Sequence, residues 1–427
     1  MKVAVIGLGY VGLPLALLLG EKNNVIAYDI NKEKIRDLKN KIDVTGEVPK
    51  KLFYRAKNII FTDDYNLLQK LDIYIIAVPT PIDKKNIPDL KLLKNAVYLV
   101  AKNIKNQSIV VVESTVYPGT MESICIPILK KISKLEYLDK DHDFKKKGFY
   151  CGFCPERVNP GDKFHTIDKI TKVVSGSNQH AVNKIKKLYK TICRKIYIAK
   201  SIKVAEAAKI IENTQRDLNI ALINELSKIS KLLNIDTYDV LDAASTKWNF
   251  AKYNPGLVGG HCIGVDPYYL TYKAKKLGYK PNVILAGRKI NDGMVSYVNK
   301  HVIEAYKNKK IKINNSNLLF LGCSFKENVT DVRNSKSIEL IKKLNASNLN
   351  IDIFDSLSTI DNIDQIKVMK KISQLKQNKY DCIIFSILHD KNSNFFLKNY
   401  KKFLKLKKNI VIDLNNYLEN SASDFKL

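Results

Sequence analysis

The chain has 427 residues, 45% of them hydrophobic, and 72 Lys+Arg against 42 Asp+Glu give it a net charge of +30. At about 150 residues per domain this length predicts about three domains, and the apolar content excludes both a disordered chain and a single small scaffold. The basic excess admits nucleic acid, an anionic membrane or small acidic ligands as partners. Lysine recurs everywhere, as in Lys145-Lys146-Lys147 and Lys309-Lys310, without arginine-rich segments or interleaved aromatics, which reads as solvated faces rather than a polyanion groove.

Met1 to Ile6 reads as a buried strand, followed at once by Gly7-Leu8-Gly9-Tyr10-Val11-Gly12 and an apolar helix through Leu19. Asn24 to Asp29 reads as a second strand ending in a carboxylate, and further strands are expected at Leu71 to Val78 and Ser108 to Val112. These apolar runs belong inside a parallel, doubly wound α/β sheet. Ser201 to Ile235 changes to a long helix with apolar positions at Val204, Ala208, Ile211, Leu218, Leu222, Leu226, Ile229 and Leu233, long enough to bridge domains or pack on a second subunit. Strand-like runs return at Asn317–Gly322, Leu349–Phe354, Asp381–Ser386 and Asn409–Asp413, with a helix near Ser335 to Leu344. The expected fold is two doubly wound Rossmann-like domains, 1–200 and 306–427, joined by a central helical domain, 201–305. No apolar run reaches the roughly 18 residues of a membrane span, and Val11 to Gly20 is broken by Pro14, so a cytoplasmic protein without a membrane partner is expected. Seven cysteines, an odd number, argue for reduced thiols rather than a disulfide framework.

Four groups of residues carry chemistry. Gly7-x-Gly9-x-x-Gly12 sits between a strand and a helix, with Asp29 closing the next strand; glycines let backbone approach a pyrophosphate, and the carboxylate accepts from a ribose hydroxyl and repels a 2′-phosphate. NAD is therefore the expected cofactor. Cys262 lies in the glycine-rich stretch Asn254 to Pro267, where an accessible thiol beside His261 suits a nucleophile, His261 being equally readable as structural. Lys209 and Asn213, four apart, share a helix face that is either a small site or a wet surface, with Glu206 and Glu212 nearby. Cys151-x-x-Cys154 has zinc-like or redox spacing, but no second ligand pair follows, His142 and His165 being isolated, so no metal is expected.

Together with Pro79-Thr80-Pro81, Glu113-Ser114-Thr115, Pro155 to Gly161 and Phe325-Lys326-Glu327-Asn328 through Asp331-x-Arg333, these residues resemble the UDP-glucose/GDP-mannose dehydrogenase family from the first strand to about residue 415. Within it, Ala205 to Asn219, Ser245 to Phe250 and Gly256 to Leu270 look like the bacterial UDP-N-acetylgalactosamine/UDP-N-acetylglucosamine 6-dehydrogenases of surface-polysaccharide pathways, capsule and O-antigen. The resemblance implies an NAD-dependent, four-electron oxidation of a sugar C6 hydroxyl to a carboxylate through a thiohemiacetal and a thioester on Cys262. It further implies that Lys209 and Asn213 stabilise the oxyanion, that Asp266 positions water and Lys209, and that Thr115 and Glu156 act at the reacting end, Glu156 as the base for hydrolysis.

Cofactor contacts are implied at Gly7, Gly9, Tyr10, Val11, Gly12, Asp29, Pro79, Thr80 and Thr115, and substrate contacts at Glu156, Arg157, Val158, Lys209, Asn213, Gly259, Arg288, Phe325, Lys326 and Arg333. Arg288 is alternatively a solvated helix residue, and Lys326, Asp331 and Arg333 alternatively an ion network. Pro160 stands where the UDP-glucose enzymes carry a second glutamate, which favours an acetamido sugar over UDP-glucose or GDP-mannose. A homodimer through the long helix is expected. Competing readings are a two-electron 3-hydroxyacid-type dehydrogenase, against which the Phe325–Asn328 run speaks, and a basic nucleic-acid-binding protein.

Overall fold

The computed structural model describes residues 1–46, 48–141, 146–156, 162, 164–419 and 422–427. The chain divides into two units: Met1–Glu212 with Tyr268–Lys280, and Asn213–Pro267 with Pro281–Leu427.

The first unit is built on strands β1 (Lys2–Ile6), β2 (Asn24–Tyr28), β3 (Ile59–Thr62), β4 (Ile73–Ile76), β5 (Ile109–Val112), β6 (Glu136–Tyr137) and β7 (Gly148–Phe153). They form one sheet in the order β3-β2-β1-β4-β5-β7-β6, every pair parallel. β4, β5 and β7 are buried along their whole length, which is why their sequences run apolar rather than alternating. Helices α1 (Gly12–Leu19), α2 (Lys32–Lys39), α3 (Lys50–Arg55), α4 (Lys91–Asn103), α5 (Ile126–Ser133) and α6 (Gln179–Tyr189) make the connections. A two-stranded parallel pair, β8 (Thr171–Val174) and β9 (Lys195–Ile198), follows. The order reverses between β1 and β4, the switch point at which such sheets bind ligands beyond their strand C-termini.

The long helix α7 runs Ile202–Leu233 and is followed by α8 (Thr237–Ser245), α9 (Asp266–Lys276) and α10 (Asn282–Asn308). The boundary between the units falls inside α7. Part of its apolar series is exposed, as for a helix that packs on a partner. Ile211, Leu222 and Leu233 are 52%, 63% and 62% exposed, whereas Asn213, Thr214, Asp217, Asn224, Ser227 and Ser230 are buried. Long-range partners hold two of these polar residues inside: Asn224 Nδ2 donates to Gly256 O and Asn291 Oδ1 at 3.0 and 2.8 Å, and Asn291 Nδ2 donates to Asp217 Oδ1 at 2.7 Å. Buried polar groups are tolerated where they are hydrogen-bonded.

The second unit's sheet comprises β10 (Asn317–Leu321), β11 (Asn350–Phe354), β12 (Asn362–Ile363), β13 (Ile366–Met369), β14 (Cys382–Phe385), β15 (Ile410–Asp413) and β16 (Phe425–Lys426), with helices α11 (Lys336–Asn345) and α12 (Asp390–Asn399). Its order is β12-β13-β11-β10-β14-β15-β16, parallel except for the β12–β13 pair, so the doubly wound pattern recurs. Met294, Val295, Val298 and Val302 of α10 complete its core. Asp355, which follows β11 as Asp29 follows β2, is committed internally. It accepts from the Cys323 and Ser324 amides at 2.9 and 3.0 Å, from the Leu357 and Ser358 amides at 3.0 and 2.9 Å, and pairs with His389. These bonds hold its carboxyl well below the usual carboxylate range despite burial. Among the described residues, no helix is long and apolar enough to cross a membrane.

Candidate active site

In the first unit the candidate residues collect beyond the C-terminal ends of β1, β2, β4, β5 and β7. Gly7 has φ +92°, and a Cβ on it would stand 2.8 Å from Ala77 O; a Cβ on Gly12 would stand 1.8 Å from Gly7 O, while Gly9 faces open space. The turn therefore closes tightly on itself, and its open side, at the start of α1, suits a pyrophosphate. Val11 precedes the first helical residue, and Tyr10 and Val11 are partly exposed. Asp29, largely buried, accepts from the Leu8 amide at 2.9 Å and the Asn31 amide at 3.0 Å, and pairs with Lys34 at 2.8 Å. The loop and the carboxylate fit an adenine dinucleotide. Gly12→Ala is expected to raise the KM for NAD by about tenfold or more, because the methyl displaces the Gly7 carbonyl that shapes the turn; isothermal titration with NAD checks this independently of turnover.

After β4, the Tyr269 hydroxyl donates to Thr80 O at 2.7 Å and fixes the Pro79-Thr80-Pro81 segment. After β5, the Ser114 hydroxyl donates to Val78 O at 2.7 Å, and Thr115 is partly exposed. Lys209 Nζ donates to Glu113 O at 2.7 Å. Glu156, after β7, has no exposed side-chain surface and lies 2.6 Å from Lys172 Nζ, which also reaches Glu113 Oε1 at 2.9 Å. Lys172 and Glu113 were not singled out as site residues from sequence. Glu206 is fully buried and accepts from the Gly119 and Met121 amides; burial, partly offset by those bonds, pushes its carboxyl up to about 7.

In the second unit Cys262 lies in a turn before α9 and is the one partly exposed cysteine of the seven; the other six are buried. Burial pushes the Cys125, Cys154 and Cys193 thiols up to about 12, so these are inert. Cys151 and Cys154 are both fully buried, and among the described residues no group of three His, Cys, Asp or Glu is placed to hold a metal. Asp266 N donates to Cys262 O at 2.8 Å, and Asn213 Nδ2 donates to Asp266 Oδ2 at 2.6 Å, so α7 and the cysteine turn are tied through one buried carboxylate.

The cysteine turn also packs on the segment after β10. Gly260 has φ +80°, with a Cβ there 2.8 Å from the Phe325 ring, and a Cβ on Gly259 would stand 2.6 Å from Asn334 O. His261 Nε2 meets Asp331 Oδ2 at 2.7 Å, and Arg333 pairs with the same carboxylate at 2.8 Å. His261 is thus engaged with Asp331, and Asp331 and Arg333 form a local ion network. Lys326 is partly buried. Arg288 is 3% exposed, so it is not a solvated helix residue; it binds Asp217 at 2.6 Å and also pairs with Asp292. Arg157, Val158, Pro160 and His142 lie outside the described residues.

A dinucleotide loop at the switch point of a doubly wound sheet defines an NAD-dependent oxidoreductase, and one of its cysteines, Cys262, is accessible. The chain matches the NAD-binding domain of the UDP-glucose/GDP-mannose dehydrogenase family over residues 1–193, the central domain over 203–293 and the UDP-binding domain over 319–420. The chain belongs to this family. It is 44% identical over 428 residues to UDP-N-acetyl-D-glucosamine 6-dehydrogenase of Pseudomonas aeruginosa, covering 100% of this chain and 99% of that protein. It is also 44% identical over 422 residues to protein CapL of Staphylococcus aureus, covering 98% and 96%. The solved structure of UDP-D-ManNAc dehydrogenase from Pyrococcus horikoshii superposes with a TM-score of 0.86 at 27% identity, covering 100% of this chain and 98% of that one.

Proposed function

We propose that the chain oxidises the C6 hydroxyl of a UDP-N-acetylhexosamine, UDP-GlcNAc or UDP-GalNAc, to the uronate in the cytoplasm, for capsule or O-antigen synthesis. The observation that carries the reading is the single partly exposed thiol, Cys262, tied to Asp266 and Asn213 in a chain that belongs to this family. Likeness at 44% identity over its full length to UDP-N-acetyl-D-glucosamine 6-dehydrogenase of Pseudomonas aeruginosa supports the acetamido sugar.

Converting an alcohol to a carboxylate removes four electrons, and NAD, when bound, supplies the acceptor for each of two hydrides. The aldehyde formed first has no hydroxyl from which to release a second hydride. The Cys262 thiolate adds to it, making a thiohemiacetal that can be oxidised to a thioester. Lys209 and Asn213 present a cation and an amide to the developing oxyanion. Glu156 takes a proton from water as it attacks the thioester, Asp266 holds Asn213, and Thr115 contacts the reacting end. The sum is alcohol, two NAD⁺ and water giving carboxylate, two NADH and three protons.

In this reading residues 1–200 bind NAD, 201–305 carry the cysteine loop with Gly259, and 306–427 bind the UDP-sugar through Phe325, Lys326 and Arg333. A homodimer would cover Leu222, Ile229, Leu232 and Leu233 of α7, large apolar side chains that are 47% exposed or more.

The test is a panel of UDP-GlcNAc, UDP-GalNAc, UDP-glucose and GDP-mannose with NAD. Two NADH per acetamido sugar are expected, with a kcat/KM about tenfold or more above that for UDP-glucose, as for a site that hydrogen-bonds a group the rival lacks. Turnover of neither acetamido sugar would sink the substrate assignment.

A further inference from the structure

Lys172 on β8 has no exposed side-chain surface, although a buried ammonium is costly unless it is paired. Its partners are Glu113 Oε1 at 2.9 Å, Glu156 Oε2 at 2.6 Å and the face of Tyr189, whose ring centre is 4.9 Å away. The Tyr189 hydroxyl donates to Glu113. Two buried carboxylates thus share one cation, and Glu113 Oε2 is left without a hydrogen-bond partner. Burial alone would pull the Lys172 ammonium down; Glu113, then Glu156, reverse this and hold it above the ordinary lysine range. Burial pushes the Glu113 carboxyl up against the pull of Lys172. The Glu113 backbone carbonyl receives Lys209 at 2.7 Å. One buried cation therefore touches the group assigned to water activation and grips the residue on which the oxyanion lysine rests.

We propose that Lys172 is a positioning residue for thioester hydrolysis: it orients the Glu156 carboxylate and, through the Glu113 side chain, the carbonyl that receives Lys209. This rests on the assignment of Glu156 as the hydrolytic base. In the step itself, water transfers a proton to Glu156 while its oxygen bonds to the thioester carbon. The C–S bond then breaks, and the Cys262 thiolate leaves with no change in electron count. A charge-assisted contact of this kind fixes the carboxylate's orientation, so loss of Lys172 leaves the base free to turn away from the water it must activate.

Four full-length proteins test this with NAD and UDP-GlcNAc: wild type, Glu156→Gln, Lys172→Arg and the double variant Glu113→Gln/Lys172→Met, which removes a buried cation and a buried carboxylate together. NADH and uronate are followed by rapid quench, and the Cys262 adduct by intact mass. In Glu156→Gln, two NADH per subunit should form in a burst, the adduct should persist, and uronate release should fall about 100-fold or more. The double variant should also retain the adduct, with uronate release slowed about tenfold or more beyond any slowing of NADH formation, because the base loses the cation that orients it. Lys172→Arg keeps the charge and its hydrogen bonds and should show no adduct. A merely structural role would lower the amplitude of every step together and leave no adduct.

If Glu156→Gln stalls while the double variant releases uronate without retaining the adduct, the role of Lys172 is overturned and the Glu156 assignment stands. If Glu156→Gln itself hydrolyses at the wild-type rate, the assignment beneath the inference fails. Should the double variant not fold, Lys172→Arg decides: an adduct that persists despite the retained charge overturns the proposal.

Discussion

Cys262→Ser is expected to lower uronate formation by about 10³-fold or more while leaving the protein folded. The thiol is only partly buried and its replacement differs by one atom, so the loss would come from chemistry rather than packing. A serine hydroxyl is a far weaker nucleophile at neutral pH than a thiolate, so the aldehyde of the first oxidation has nothing to add to. Product analysis should show aldehyde with one NADH per sugar in the first turnover, or a stalled serine ester with two. Cys154→Ser provides the contrast: that thiol is fully buried, so a hydroxyl there should lower the melting temperature without leaving aldehyde. Wild-type uronate output from Cys262→Ser would disprove the nucleophile assignment.

What was legible in the sequence follows from how local each signal is. β1, β4 and β5 are short apolar runs, each followed closely by glycine, proline or serine, and every partner they need is another run of the same kind. The glycine turn is readable because each glycine has a local reason, and the structure supplies those reasons as close contacts with Ala77 O and Gly7 O. Cys262 is legible because glycines surround it, unlike Cys382 inside β14.

Lys172 has no such mark. It is one of 72 basic residues, on a strand whose pattern is ordinary, and only the approach of Glu113 and Glu156 from distant parts of the chain distinguishes it. The buried polar face of α7 is unmarked for the same reason: Asn213, Asp217 and Asn224 are drawn inside by Asp266, Arg288, Asn291 and Gly256, contacts that no local pattern encodes. The +30 charge also changes meaning. Both ligands of the proposed reaction carry diphosphates, so a positive field would speed their capture, yet the informative cations are a few held at defined atoms: Lys172, Lys209 and Arg288.

Lys209→Met is expected to lower kcat by about 10²- to 10³-fold, the loss typical of removing one oxyanion donor, with KM for the sugar changed far less. The ammonium has three donors, and one is committed to Glu113 O at 2.7 Å, which aims the side chain and leaves others for developing charge. Asn213, one turn along α7, is aimed in a parallel way: its amide donates to Asp266 Oδ2 at 2.6 Å and its oxygen accepts from Arg216 at 3.2 Å. Asn213→Leu should therefore lose activity as well, but through two routes, an absent donor and a buried Asp266 carboxylate that loses one hydrogen bond. If both residues serve one oxyanion, as proposed, the double variant should lose much less than the product of the single losses. Pre-steady-state NADH formation separates the steps: if Lys209 serves the oxyanion at C6, the first hydride transfer slows. A Lys209→Met enzyme with a wild-type first transfer and slow uronate release would instead restrict this lysine to the thioester, and strictly multiplicative losses would show that Lys209 and Asn213 act at separate points.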